Sequence, residues 1–323
     1  MKNNLVIFPS QLTFLTFAYV YGGLAIHGAD GIFTVIGCVA AAAASASLGS
    51  LAACDGRGIR RAIARLFPRS AETEAAAVLT ALCSAPLVAD ILAFGNYTSK
   101  IYSSPVSPSL FSLAALVISI ILCFKIKTLG RLAEILVFFS VPCVFVSLFG
   151  KFTPSVFFST GLSGIASWGS IAVPIAVCTQ TTASGVGKYH DLTPSTTVLS
   201  NANTRLALCA SGGAFAGGLF YLFTSCFVFP SANIASTLFS WSAAVLRLSS
   251  TLFAISALRR GNHPVVLSCV FAVTCIFTLI SIARKTLPFV AGAVEMLNIF
   301  SLFVVFCFAL PTLNHIKQTV QRA

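Results

Sequence analysis

Charge is what this chain has least of. Asp and Glu number 8 and Lys and Arg 20 among 323 residues, so 9% of the sequence is charged while 57% is apolar. Soluble globular domains carry roughly 25% charged residues. So sparse a supply excludes an ordinary soluble domain, a disordered chain and a nucleic-acid-binding protein. Close cysteine pairs are missing as well. The eleven Cys are scattered through apolar runs without a single C-x-x-C, which removes zinc ribbons and thioredoxin-like sites and leaves small residues that pack between helices. The four His (27, 190, 263 and 315) sit at segment ends or in loops, without metal-ligand spacing. No phosphate-binding loop, H-E-x-x-H or G-x-S-x-G occurs. With no nucleophile beside a base in any span, the sequence points away from an enzyme and implies no metal or cofactor beyond a coupling ion.

Apolar length is present in quantity. A membrane-spanning helix needs about 20 mostly apolar residues to cross a core of roughly 30 Å. Ten such segments can be marked, at approximately 6–28, 31–53, 74–97, 109–124, 132–150, 162–187, 206–229, 237–258, 264–283 and 288–314. Lys2 is the only early cation and the apolar stretch behind it is too long for a cleavable signal, so the first segment reads as a span. The expectation is an all-α polytopic membrane protein with one integral membrane domain over 1–323.

Direction follows from Lys and Arg, which are held back on the cytoplasmic side. With the N-terminus inside, 15 of the 20 cations fall in cytoplasmic stretches. Lys100, Lys151, Arg284 and Lys285 lie outside, and Arg247 lies within a span. Nine or eleven spans would break this alternation, so ten spans with both termini cytoplasmic is the topology expected. The loop Gly56–Ser70 spaces five Arg among Ile, Ala, Leu and Phe, the pattern of a short amphipathic helix on the inner leaflet.

Two spans carry interruptions that an anchor does not need. The first reads FAYVYGGLAIHG, with Gly22 and Gly23 near mid-membrane; the sixth reads GLSGIASWGSIAVPIAVCTQ, with Gly161, Gly164, Gly169 and Pro174. A break at bilayer depth frees backbone groups that cost several kcal/mol each unless they line a cavity or bind a ligand. Spans 1 and 6 are equivalent if the chain is two five-span halves, the second inserted upside down, and paired interruptions of this kind mark transporter sites. Close helix packing through glycine accounts for the same residues without any break.

Intramembrane charge is the other pointer. Arg247 lies roughly 16 Å and Asp90 roughly 12 Å inside the outer ends of their spans, at 1.5 Å per residue. These depths match well enough for an ion pair across the bundle. The two either neutralise each other or present Arg247 to a substrate carboxylate. Beside Arg247, the hydroxyls of Ser249, Ser250 and Thr251 offer oxygens for Na⁺, or bond back to their own helix. Arg131 and Glu134 sit at the inner end of span 5.

Three patches carry a family resemblance: SQLTFLTFAYVYGG in span 1, IKTLGRLAEILVFFSVP entering span 5, and WSAAVLRLSSTLFAIS in span 8. They resemble the spore-germination permeases, the amino-acid-permease-like subunits of bacterial germinant receptors within the amino acid–polyamine–organocation superfamily. The resemblance implies a leucine-transporter type of fold, with inverted five-helix repeats at about 6–150 and 155–315 and helices 1 and 6 broken at mid-membrane. It implies a small ligand such as an amino acid, bound by Tyr21, Gly22, Gly23, Ser167, Trp168, Gly169 and Ser170 with Asp90 and Arg247 nearby, and an inner gate at Arg131 and Glu134. Two companion receptor subunits, the spore inner membrane and a germinant-sensing role come with it. An ordinary permease coupled to H⁺ or Na⁺, and a structural subunit with a decayed pocket, are the competing functions. Family members often carry an acidic residue soon after the span-8 Arg, where this chain has only Ser and Thr.

Overall fold

The computed structural model describes residues 8–28, 31–54, 59, 71–102, 108–147, 150–152, 163–189, 196–228, 234–258, 292–293 and 295–305. The first eight apolar segments are all helices: α1 (Pro9–His27), α2 (Gly31–Cys54), α3 (Ala71–Tyr102), α4 (Pro108–Leu122), α5 (Ile126–Ser147), α6 (Ser163–Tyr189), α7 (Thr196–Cys226) and α8 (Ile234–Leu258). The tenth segment contains the helix Glu295–Val305. The ninth, and all of the basic loop 56–70 except Ile59, lie outside the described residues.

Among the described residues, four stretches are long and apolar enough to cross a membrane: Gly31–Ser50, Val78–Ile101, Thr204–Cys226 and Ser236–Leu258. A further apolar pair, Pro108–Leu122 and Ile126–Ser140, is bent by 118°. Large apolar side chains stand exposed at helical spacing along these elements, among them Leu110, Leu113, Val117 and Ile121 on α4 and Ile135, Phe138 and Phe139 on α5. In water such a surface would drive aggregation; against lipid tails it costs nothing.

The packing divides into two groups. The helices α1, α2, α6 and α7 lie mainly on one another, with α2 on α6 and α1 on α7 the closest pairs, while α3, α4 and α8 form a second group against α1 and α5. Lipid tails are as apolar as Leu, so membrane helices associate through close van der Waals fit rather than hydrophobic burial. Glycine supplies that fit here. A side chain at Gly213 would strike the Thr13 carbonyl and one at Gly217 the backbone of Phe17, so α7 rides directly on α1. Gly37 meets the Trp168 ring and Gly49 the Ala176 carbonyl, so α2 rides on α6.

These contacts also give direction. Thr13 and Phe17 rise along α1 as Gly213 and Gly217 rise along α7, and Gly37 and Gly49 rise with Trp168 and Ala176. Each pair is therefore parallel. With α3 the only other helix between them among the described residues, parallel α2 and α6 go with an even number of crossings by the α4–α5 pair. Consistently, β1 (Lys151–Phe152), after α5, pairs antiparallel with β2 (Phe227–Val228), after α7, which puts the ends of those helices on one side.

Helices 1 and 6 are unbroken, contrary to expectation. The helix α1 runs through Gly22–Gly23 and stops only at Gly28, whose φ of 81° suits glycine and whose N–H caps the Leu24 carbonyl at 2.9 Å. The glycine pair serves contact instead. A Cβ on Gly22 would lie 2.6 Å from the Ala243 backbone, and one on Gly23 would collide with the Arg247 guanidinium. Similarly, α6 passes through Pro174 without ending.

Candidate functional site

Four helices converge on one buried polar cluster. From α8, Arg247 donates Nε–H to Asp90 Oδ2 of α3 at 2.7 Å, Nη1–H to the Tyr19 carbonyl of α1 at 3.2 Å, and Nη2–H to Ser170 Oγ of α6 at 2.8 Å. Its guanidinium also lies over the Tyr19 ring, 4.6 Å from the centroid. Asp90 and Tyr19 are 0% exposed and Arg247 3%. The ion pair anticipated from matched depths is thus present, and it is completely enclosed.

The remaining oxygen of Asp90, Oδ1, faces His27 Nε2 at 2.8 Å. An ionised carboxylate has no hydrogen to give, so His27 donates through Nε2–H. Its side chain is 31% exposed, which makes it the one partly accessible member of the cluster. Tyr19, Gly23 and His27 are spaced i, i+4 and i+8, one stripe on α1, and that stripe is the α1 contribution to the site. Sequence reasoning singled out neither Tyr19 nor His27 here. The signal available was this spacing, read outward from Gly23.

Pro174 explains a further bond. A proline inside a helix has no N–H for the carbonyl four residues back, which in α6 is that of Ser170. The Tyr19 hydroxyl donates to this carbonyl at 3.0 Å. The freed backbone group expected from Pro174 therefore exists, but a side chain of α1 satisfies it. Thr251 Oγ1 stands 3.0 Å from Tyr19 Oη and 3.1 Å from the Arg247 carbonyl. With the Tyr19 proton on Ser170, the Thr251 hydrogen is shared between those two acceptors.

Other expected site residues face elsewhere. Tyr21 is two residues from Tyr19, about 200° around the helix. It enters an aromatic cluster with Phe17, Phe220, Tyr221 and Phe239 and bonds Ser240 Oγ at 3.1 Å. Trp168 donates Nε1–H to the Thr34 carbonyl of α2 at 3.0 Å, and Gly169 admits the backbone of Asn298. Ser167 accepts from Ser170 Oγ at 2.8 Å, which leaves Ser170 free to accept from Arg247. Of the four residues 167–170, only Ser170 touches the charged pair, because successive helical residues turn about 100° apart.

The same rotation dismantles the expected cation site. Ser249, Ser250 and Thr251 donate to Val245, Leu246 and Arg247 carbonyls at 2.7, 2.7 and 3.1 Å. Three hydroxyls fanned around α8 and each bonded to its own helix do not converge on one ion. Arg131 is exposed and Glu134 half-buried, and no ion pair joins them. Gly130, beside Arg131, packs on Gln11 at the start of α1, where a Cβ would come within 3.1 Å. Among the described residues no group of His, Cys, Asp and Glu is arranged to hold a metal.

No protein-family model matches this sequence, and no curated protein is significantly similar to it. The chemistry of the cluster stands on its geometry. It is a fixed cation neutralised by one carboxylate and tied to the Tyr19 carbonyl and the Ser170 hydroxyl, with His27 as its partly exposed member.

Proposed function

We propose that this chain is an amino-acid-permease-like membrane protein of the spore-germination type, which binds a small nutrient such as an amino acid and acts in germinant sensing. The carrying observation is the convergence of α1, α3, α6 and α8 on Arg247, the four helices that the resemblance assigns to ligand binding. On this reading the chain has ten spans in two inverted repeats, both termini cytoplasmic, in a bacterial inner membrane or spore inner membrane beside two companion subunits. Exchange of helix 1 with 6 and 2 with 7 supports the repeat: α7 sets its glycines on α1 as α2 sets its glycines on α6.

The arrangement is a closed state. Arg247 has its charge matched by Asp90, so a ligand carboxylate reaches it by displacing Ser170 or the Tyr19 carbonyl, not by filling a vacancy. The cost is one hydrogen bond from a charged group, about 1.5–3 kcal/mol, small enough for ligand binding to supply. His27, the partly exposed member of the cluster, is a proton carrier and not a Na⁺ ligand, which favours H⁺ over Na⁺ if the protein is an ordinary transporter.

Uptake of a labelled amino-acid panel into proteoliposomes, with Ser170→Ala and Arg247→Lys as controls, tests the proposal. Ligand-induced thermal stabilisation without uptake, weakened in both variants, is the expected sensor result. Uptake that disappears in the variants supports the transporter instead. Neither signal across the panel, or affinities unchanged in both variants, overturns ligand binding at this cluster.

A further inference from the structure

A second feature lies at the opposite end of α1. Thr13 of α1 and Thr204, Arg205, Leu208 and Cys209 of α7 line a groove of about 490 Å³ that opens outward. Its position is set by the α1–α7 seam, since Thr13 is also the residue whose carbonyl receives Gly213. A candidate membrane span of α7 covers Thr204–Cys226 and starts within the polar run SNANTR, so the groove lies at the polar rim of a span, at the level of lipid headgroups. Arg205 is exposed, and among the described residues no acidic side chain pairs with it. Leu208 and Phe215, 66% and 51% exposed, are seven residues apart and so share one outward face of α7 leading away from Arg205 into the apolar zone.

We infer that this groove binds an anionic phospholipid, with the headgroup phosphate on Arg205 and the first part of an acyl chain along Leu208. Three properties select that occupant. Arg205, exposed and without an acidic partner among the described residues, suits a phosphate, Leu208 and Cys209 give the described lining an apolar side, and the apolar stripe continues down the helix as an acyl chain does. Basic pockets between spans at the membrane rim recognise acidic headgroups by the same means. The bound lipid bridges the start of α1 to α7, and α1 carries Tyr19, Gly23 and His27 into the charged cluster. Lipid composition thereby acts on the site from one end of its central helix. The inference does not depend on the identity of any transported or sensed nutrient.

The test uses the full chain, purified and delipidated, titrated with phosphatidylglycerol or phosphatidylcholine under native mass spectrometry. Phosphatidylglycerol is expected to bind about fivefold more tightly, the weight of one Arg at an anionic surface. Arg205→Gln is expected to abolish the difference, while Lys125→Gln, which removes an exposed cation elsewhere, preserves it. Alkylation of Cys209, followed by peptide mapping on the wild-type chain, gives a second readout that does not rely on a variant folding. Phosphatidylglycerol should slow it and phosphatidylcholine should not. Equal binding of the two lipids, an unchanged preference in Arg205→Gln, or equal protection of Cys209 by both lipids would overturn the inference. Protection by millimolar inorganic phosphate equal to that by phosphatidylglycerol would also overturn it, and would assign the groove to a soluble phosphate compound.

Discussion

The two faces of α1 hold it in place by different physics. One face carries Tyr19, Gly23 and His27 against Asp90, Arg247 and Ser170, through hydrogen bonds and one ion pair, all directional. The other carries Phe17 and Tyr21 against Phe220 and Phe239, with ring centroids 4.8–6.4 Å apart. On the polar face each group has few partners and no substitute, so losing one strands another inside low-dielectric surroundings. On the aromatic face four rings share the contacts, and a lost ring is partly compensated by its neighbours. Specificity and conformational switching belong to the first face, cohesion to the second.

The largest effect should come from splitting the ion pair. Asp90→Ala leaves Arg247 charged, buried and unmatched, and breaking one side of a buried pair costs about 3–5 kcal/mol. Thermal unfolding in detergent should show a large loss for Asp90→Ala, and a much smaller one for Asp90→Leu combined with Arg247→Leu. If the double variant is as unstable as the single, the pair is not the coupled unit described here.

Next in size is Gly22→Val. The added Cβ meets backbone of Ala243, which cannot turn aside as a side chain does, and overpacking of this kind costs about 1–3 kcal/mol. Unfolding midpoints should fall by more than for Phe239→Leu on the aromatic face. The opposite order would make the rings, not the close approach of α1 and α8, the principal tie.

Tyr19→Phe sharpens the comparison further. It removes the donor to the Ser170 carbonyl, leaving a buried acceptor unpaired at about 1–3 kcal/mol. Pro174→Ala restores an N–H to the same carbonyl within α6. The double variant Tyr19→Phe/Pro174→Ala should therefore be more stable than Tyr19→Phe alone, and additive losses would show that Tyr19 and Pro174 do not serve one carbonyl. The smallest effect expected is from Tyr21→Phe, which gives up one bond to Ser240 and keeps every ring contact. Its loss should be about 1 kcal/mol or less.

Much of the architecture was legible because hydropathy is one-dimensional. Eight segment assignments became α1 to α8 with edges displaced by up to ten residues, as at the start of α7. The matched depths of Asp90 and Arg247 anticipated their meeting, since a helix rises uniformly and a buried charge needs a partner. The broken helices were not there, because glycine and proline in a sequence signal either a break or a close approach. Which of these applies depends on the neighbour: Ala243 and Arg247 at Gly22–Gly23, and the Tyr19 hydroxyl at the Pro174 gap. Tyr21 was chosen over Tyr19 for want of a rotational reference, as no residue in span 1 alone fixes which side faces Arg247.

Composition by itself determined that this protein lives against lipid, that it is helical, and that Asp90 and Arg247 would have to answer for their burial. Those outcomes follow from transfer free energies that each residue carries wherever it stands. The tertiary structure alone decided that α7 lies on α1 and α2 on α6, that Tyr19 and His27 rather than Tyr21 join the charged pair, and that the α8 hydroxyls turn back on their own helix. The choices between helices rest on contacts between residues 63 to 228 positions apart. They depend on close packing and hydrogen-bond geometry, which no local pattern encodes.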